Sequence, residues 1–434
     1  MARKKKEESS VVVPVTKDAA RKALIAKFNK ESGERLIGSL KEEAINGYNV
    51  ISTGVPSLDI KLGSGGIPRG RVTEIYGPNQ AGKTTLALQM AANVYRAGGV
   101  VIYIDAECAL DYNYAIALGL DVEDESRFLL IQPNYGEEAF NAIYKFIKMG
   151  LVDLIVVDSY PFMTPYSALA SAEEKGFEKD PAVALSARMW GKFFDKVVKH
   201  LKREDIAFLV LNQERVVSQG LNSLGNGRAG GNVLKHVDFI TIQMKSKPSN
   251  FKGEGKVEDG TFDGTSRETL AFIIKNKMNA PYRGSLLTID FGKGVNYFMD
   301  LIDVCVAMEV GIKQSGAGWY TFVDSNGEEL KKVQGKDKAA ELLKEMPELI
   351  DAAINSVLNK TGVKLFNPQD PTSPYGRIDD KEKPVITSDT VSLLDVEDDD
   401  EELFTEEDLN ATYEDVPVCT FIDEDLEGNT STGL

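Results

Sequence analysis

Between Ile51 and Asp290, short β-branched runs alternate with segments of helical period, and both ends of the chain lose that alternation. Val100–Ile104, Leu154–Val157 and Ala207–Leu211 are almost continuously apolar, as strands are when helices cover both faces of their sheet. The pattern predicts an α/β core over residues 51–299, built on a mostly parallel, twisted sheet. In the arm before it, residues 1–50, Ala20, Leu24, Ile25 and Phe28 recur at helical spacing and predict one short amphipathic helix. From Leu301 the pattern predicts a helix and a strand pair around Trp319–Val323, turning at Asp324-Ser325-Asn326-Gly327. Helices at Lys336–Lys344 and Pro347–Asn359 complete a small C-terminal α/β domain over 300–366. Residues 367–434 are rich in Pro, Ser, Asp and Glu, which predicts a disordered acidic tail.

Charge sharpens this division. Residues 384–434 carry 17 acidic side chains and no Lys or Arg, so the tail holds the whole net charge of −17. Residues 1–383 are balanced, and a basic face on the folded part is compatible with an acidic chain. No apolar run approaches the roughly 20 residues that span a bilayer, so no membrane partner is expected. The apolar run Val11–Val13 stops at Pro14, too short for a signal peptide, so a cytoplasmic location is expected. Three widely spaced cysteines (Cys108, Cys305, Cys419) form no CxxC pair, which excludes a disulfide framework. With only His200 and His236 available, acid–base chemistry falls to carboxylates.

The chemistry is concentrated where strands end. Arg71–Tyr76 leads into Gly77-Pro78-Asn79-Gln80-Ala81-Gly82-Lys83-Thr84, followed by Thr85 and a helix to Arg96. This GxxxxGK[ST] spacing lets backbone N–H groups turn inward around phosphate oxygens. Lys83 neutralises the β/γ-phosphates and the Thr84 hydroxyl ligates Mg²⁺, so ATP with Mg²⁺ is the expected cofactor. Three other strands end in polar residues: Asp105-Ala106-Glu107, Asp158-Ser159 and Asn212-Gln213. Ligands of open parallel sheets sit beyond such ends. Asp158 takes the metal-shell role, Glu107 polarises the attacking water, and Gln213 senses the γ-phosphate. Lys275 and Lys277 flank Asn276 after the predicted strand Thr269–Ile274; by themselves they read as a solvated basic strand end.

Several motifs resemble the bacterial RecA family: Ile51-Ser52-Thr53-Gly54, Ser57-Leu58-Asp59, Glu74–Pro78, Ile104–Glu107 and Ala109-Leu110-Asp111. Gly230-Gly231-Asn232 with Leu234-Lys235, Lys275-Asn276-Lys277 with Ala280-Pro281, and Gly318-Trp319-Tyr320 extend the likeness to roughly Val363. The resemblance implies a RecA-type P-loop ATPase that polymerises as a helical homo-oligomeric filament on single-stranded DNA and pairs it with homologous duplex DNA. It implies that Tyr114, helped by Asp111, stacks on adenine, and that Lys275 and Lys277 reach the ATP site of the adjacent subunit. The N-terminal helix would dock on that neighbour.

Two segments then fall where such proteins hold DNA. Pro165–Pro181 shows no strong periodicity, and Glu214–Gly231 holds five glycines with Arg215 and Arg228. Arg188 and Lys235 match family positions and are the expected phosphate contacts, with Gly230, Gly231 and Asn232 supplying backbone groups; the wedge residue between bases stays open. The acidic tail has two expected roles beside solubility, competition with DNA or partner docking through Val418–Leu426. A hexameric helicase or motor of the same fold is the alternative to a recombinase, and a non-catalytic ATP-binding paralogue is a third class.

Overall fold

The structure, a computed structural model, describes residues 16–31, 37, 49–175, 182–218, 224–228, 233–246, 251–254, 263–316, 318–324, 326–370 and 403–404. They divide into two compact units, Met1–Tyr48 and Asn49–Leu434. In the first, helix α1 (Lys17–Glu31) buries none of its side chains, and Leu24 and Phe28 of the predicted stripe are exposed. The Asn29 side-chain amide exchanges two hydrogen bonds with the Ile37 backbone.

The second unit opens with a short antiparallel pair, β1 (Val50–Ile51) with β2 (Ile67–Pro68), and the helix α2 (Pro56–Leu62), and is organised by a sheet with eleven strands among the described residues. Its parallel centre comprises β3 (Val72–Gly77), β4 (Val101–Asp105), β5 (Phe128–Ile131), β6 (Leu154–Asp158), β7 (Ala207–Ser218) and β9 (Ile240–Lys245). β11 (Asp263–Asn276) and β12 (Arg283–Asp290) extend it antiparallel from β9, with β10 (Phe251–Glu254) paired to β11. Side chains alternate across this sheet and feed two cores. Ile75, Leu209 and Leu211 pack with α3 (Lys83–Arg96) on one face. Ile102, Phe208 and Val210 face the other, under the helices Gly136–Met149 and Ala182–Arg203. There Trp190 stacks on Tyr160 with ring centroids 4.5 Å apart, and Phe140 stacks on Phe193 at 4.0 Å. Burying such rings is the largest apolar gain available to a core.

Three expectations change. Pro165–Pro181 is not wholly irregular: Tyr166–Lys175 is helical, and the Tyr166 N–H donates to the Glu137 carboxylate at 3.0 Å. An acidic cap from another helix satisfies a helix N-terminus in a way that leaves no local sequence signal. Glu214–Gly231 contains a hairpin, with β7 running on to Ser218 and pairing with β8 (Leu224–Arg228) from Glu214↔Arg228 to Ser218↔Leu224. The small C-terminal region has three strands, Ile312–Ser315, Trp319–Val323 and Glu329–Gln334, and its first helix, Tyr297–Met308, begins ahead of the expected boundary at 300. Asn296 fixes that start by accepting from the Met299 N–H.

The Asp300 carboxylate joins the small region to the core. Asp300 accepts from the Ser57 N–H and hydroxyl at 2.6 and 2.8 Å, and burial pushes its carboxyl up to about 6. Asp59, also buried, accepts from the Ser52 and Thr53 hydroxyls, and burial pushes it up to about 7. In the tail, Leu403 and Phe404 are buried against the second core, whereas Val418–Leu426 lies outside the described residues. Among the described residues no helix is long and apolar enough to cross a membrane.

Candidate functional site

β3 ends at Gly77, and the chain turns through Pro78–Gly82 before α3 begins at Lys83. Gly82 sits at φ 89°, a left-handed shape that favours glycine, and a Cβ there would lie 2.3 Å from Ile289 Cδ1, which would have to move aside. Lys83 folds back and donates to the Gly77 and Pro78 carbonyls at 3.1 and 2.8 Å. Burial lowers its pKa, against the pull of Asp158, Glu107 and Glu214. A lysine desolvated beside a ring of backbone amides is suited to a polyanion.

The neighbouring strand ends converge on this loop. Thr84 Oγ1 and the Tyr103 hydroxyl both donate to Asp158 Oδ2 at 2.8 Å. Burial raises the Asp158 pKa, with those two hydrogen bonds working the other way. Glu107 Oε1 accepts from Ser159 Oγ at 2.6 Å and from Gln213 Nε2 at 3.1 Å. Thr84, Glu107, Asp158 and Gln213, far apart in sequence, therefore form two adjoining hydrogen-bonded groups. Asp105 does not join them: its carboxylate accepts from the Ala109 and Leu110 N–H groups and holds the turn after β4.

Beside the loop lies a cavity of about 680 Å³ bounded by Gln80, Gly82–Thr85, Asp111 and Tyr114. Asp111 caps the helix Tyr112–Ala117 by accepting from the Tyr114 N–H, and the Tyr114 hydroxyl donates to Thr85 Oγ1 at 2.9 Å. Ile289, Phe291, Gly292 and Arg267 also line this cavity, and the sequence reading missed them. They come from β11, β12 and the turn after it, with no motif; only the pairing Arg267↔Ile289 across those strands brings them together.

The lysine pair is elsewhere. Thr241 pairs with Lys275 on one side and Glu74 on the other, and β9 runs parallel to β3. Lys275 and Lys277 thus lie toward the start of β3, opposite the end that carries the loop. Lys275 donates to Asp238 and to the Lys235 carbonyl, and the Lys277 ammonium lies 5.6 Å from the Phe239 ring centroid.

Of the expected DNA contacts, Arg188 and Lys235 are exposed. Arg228 differs from the expectation of a solvent-facing phosphate contact: its guanidinium pairs with the fully buried carboxylates of Glu74 and Asp238. A cation beside them offsets the burial that would otherwise favour the neutral carboxyl. Arg215 lies on β7, its side chain outside the described residues, as are Gly230, Gly231 and Asn232.

The RecA N-terminal domain family matches residues 19–296. Protein RecA of Acinetobacter baylyi is 33% identical over 345 residues, spanning 79% of this chain and 92% of that protein. Protein RecA of Delftia acidovorans is 34% identical over 351 residues (81% and 89%). Protein RecA of Thermus thermophilus is 35% identical over 348 residues (80% and 96%).

Proposed function

Since the chain belongs to the RecA family, we propose that it is an ATP-dependent recombinase that assembles on single-stranded DNA and exchanges it with homologous duplex DNA. The observation that carries this reading is the Gln213–Glu107 hydrogen bond, because Gln213 lies on the strand that continues into the β7–β8 hairpin. A change at the hydrolytic carboxylate is then one side chain away from the segment assigned to DNA.

In this reading, triphosphate binds the amides of Gly77–Thr84 and draws Lys83 off the two carbonyls it now satisfies. Glu107 accepts the proton of the attacking water, and Gln213 contacts the transferred phosphoryl group. The base stacks on Tyr114 in the adjoining cavity, with Asp111 holding the Tyr114 backbone. The Thr84 hydroxyl and Asp158 carboxylate are hard oxygen donors already in contact, which fits a Mg²⁺ ion that takes its remaining ligands from phosphate and water. Such an ion would neutralise charge on the β- and γ-oxygens.

Lys275 and Lys277, at the opposite sheet end, serve a neighbour's nucleotide in a head-to-tail assembly. DNA phosphates meet Arg188, Lys235, Arg215 and the backbone of Gly230, Gly231 and Asn232. Arg228 joins them only after leaving Glu74 and Asp238. ATP hydrolysis with and without single-stranded DNA, followed by electron microscopy of the same samples, tests the proposal. DNA-stimulated turnover with helical filaments supports it; closed rings favour the helicase alternative, and absent turnover favours a non-catalytic paralogue. Glu107→Gln should keep nucleotide and DNA binding while losing about 10²-fold or more in turnover.

A further inference from the structure

β4 reads Val101-Ile102-Tyr103-Ile104-Asp105, and its one aromatic residue is fully buried. Tyr103 belongs to the core that packs against α3, with the Phe128 ring 6.4 Å away. A phenylalanine would fill the same space, so the hydroxyl is surplus to packing and, once buried, must find an acceptor. It is aimed at one atom, Asp158 Oδ2, at 2.8 Å. Both residues lie on paired strands, with Tyr103 opposite Val156 and Asp105 opposite Asp158, so the sheet ladder holds donor and acceptor together.

That oxygen already has a donor. Thr84 Oγ1 also reaches Asp158 Oδ2 at 2.8 Å, whereas among the described residues none donates to Oδ1. The two oxygens of one carboxylate are therefore used unequally. Two charge-assisted hydrogen bonds on Oδ2 fix the plane of the group. The single Thr84 hydroxyl proton is spent on Oδ2, which leaves the Thr84 lone pairs for a cation. Oδ1 keeps its acceptor capacity for the water that a hard cation carries with it. We infer that Tyr103 is a positioning residue for the metal that accompanies the nucleotide: its hydroxyl, held apart from both, locks the Thr84–Asp158 pair in its ligating arrangement. The inference rests on the reading of that pair as the holders of Mg²⁺. Removing a donor from behind a metal-ligating group typically weakens metal binding about ten- to a hundredfold. With Thr84 still in place on Oδ2, the lower end applies here.

The test compares the full chain with its Tyr103→Phe variant, which lacks one oxygen and leaves Thr84 on Asp158. Binding of a fluorescent, non-hydrolysable ATP analogue is followed as Mg²⁺ is raised, and again in EDTA. The variant's Mg²⁺ half-point should rise about tenfold, with its metal-free Kd and melting temperature close to those of the wild type. Turnover should recover at high Mg²⁺. Phe128→Leu, which loosens the same packing and removes no hydroxyl, should lower the melting temperature and leave the half-point in place. An unmoved half-point in Tyr103→Phe overturns the inference, and so does an equal shift in Phe128→Leu, which would make the effect one of packing. Nucleotide binding by the wild type that ignores Mg²⁺ overturns the metal reading of Thr84 and Asp158 itself, and the inference with it.

Discussion

Glu107 shows how much a single side chain depends on its two partners. Its Oε1 takes hydrogen bonds from Ser159, after β6, and from Gln213, near the middle of β7, so its position is set by two strands other than its own. Replacing Gln213 by Ala removes one donor to Glu107 and the proposed contact to the transferred phosphoryl group, while leaving the Gly77–Thr84 loop intact. Basal hydrolysis should fall with the lost phosphoryl contact, and the ratio of DNA-stimulated to basal turnover should fall about tenfold further if this amide also links the two sites. Steady-state ATPase assays with and without oligonucleotide would decide it. Equal loss in both conditions would leave Gln213 without a link to the DNA segment. The residues proposed to hold the phosphates were legible in the sequence because a tight glycine turn at a helix start has few residue solutions. Ile289 and Phe291 were not: their role depends only on which strand edge lies against the cavity.

Among elements, the junction between the core and the small C-terminal region has an unusual charge economy. Burial raises both Asp59 and Asp300, so each carboxyl holds its proton more tightly in the folded protein than in the unfolded chain. For Asp59 the window runs from its ordinary 3.8 to about 7. Its favourable contribution is complete below that window and is lost as pH rises through it. Thermal stability should therefore decline between pH 4 and 7 more steeply in the wild type than in Asp59→Asn. Parallel slopes in calorimetric melts would contradict this assignment. The helices and strands themselves were readable from apolar runs and period. The Tyr166–Lys175 helix and the β8 strand were not, because their support comes from Glu137 and from a cross-strand ladder.

Across the molecule, the Gly77–Thr84 loop and the Lys275/Lys277 pair lie at opposite ends of one sheet. If Lys275 and Lys277 act on a neighbour, the Glu107→Gln protein and a Lys275→Ala/Lys277→Ala protein should each be nearly inactive alone yet active when mixed. With random incorporation at equal amounts about one interface in four is intact, so roughly a quarter of wild-type turnover should return. No recovery on mixing, despite co-assembly, would place the lysines outside the chemistry.

The glycine loop, the alternating α/β pattern and the separation of a neutral body from an acidic tail were legible in the order of residues alone. Each is a local matter: spacing, period and composition act over a few residues. Tertiary structure alone decided that Arg228 pairs with Glu74 and Asp238, that Phe291 walls the cavity, and that Leu403 and Phe404 are anchored on the fold. Those outcomes come from burial. A charge or ring removed from water must find its partner in space, and that partner is fixed by strand order rather than by distance along the chain.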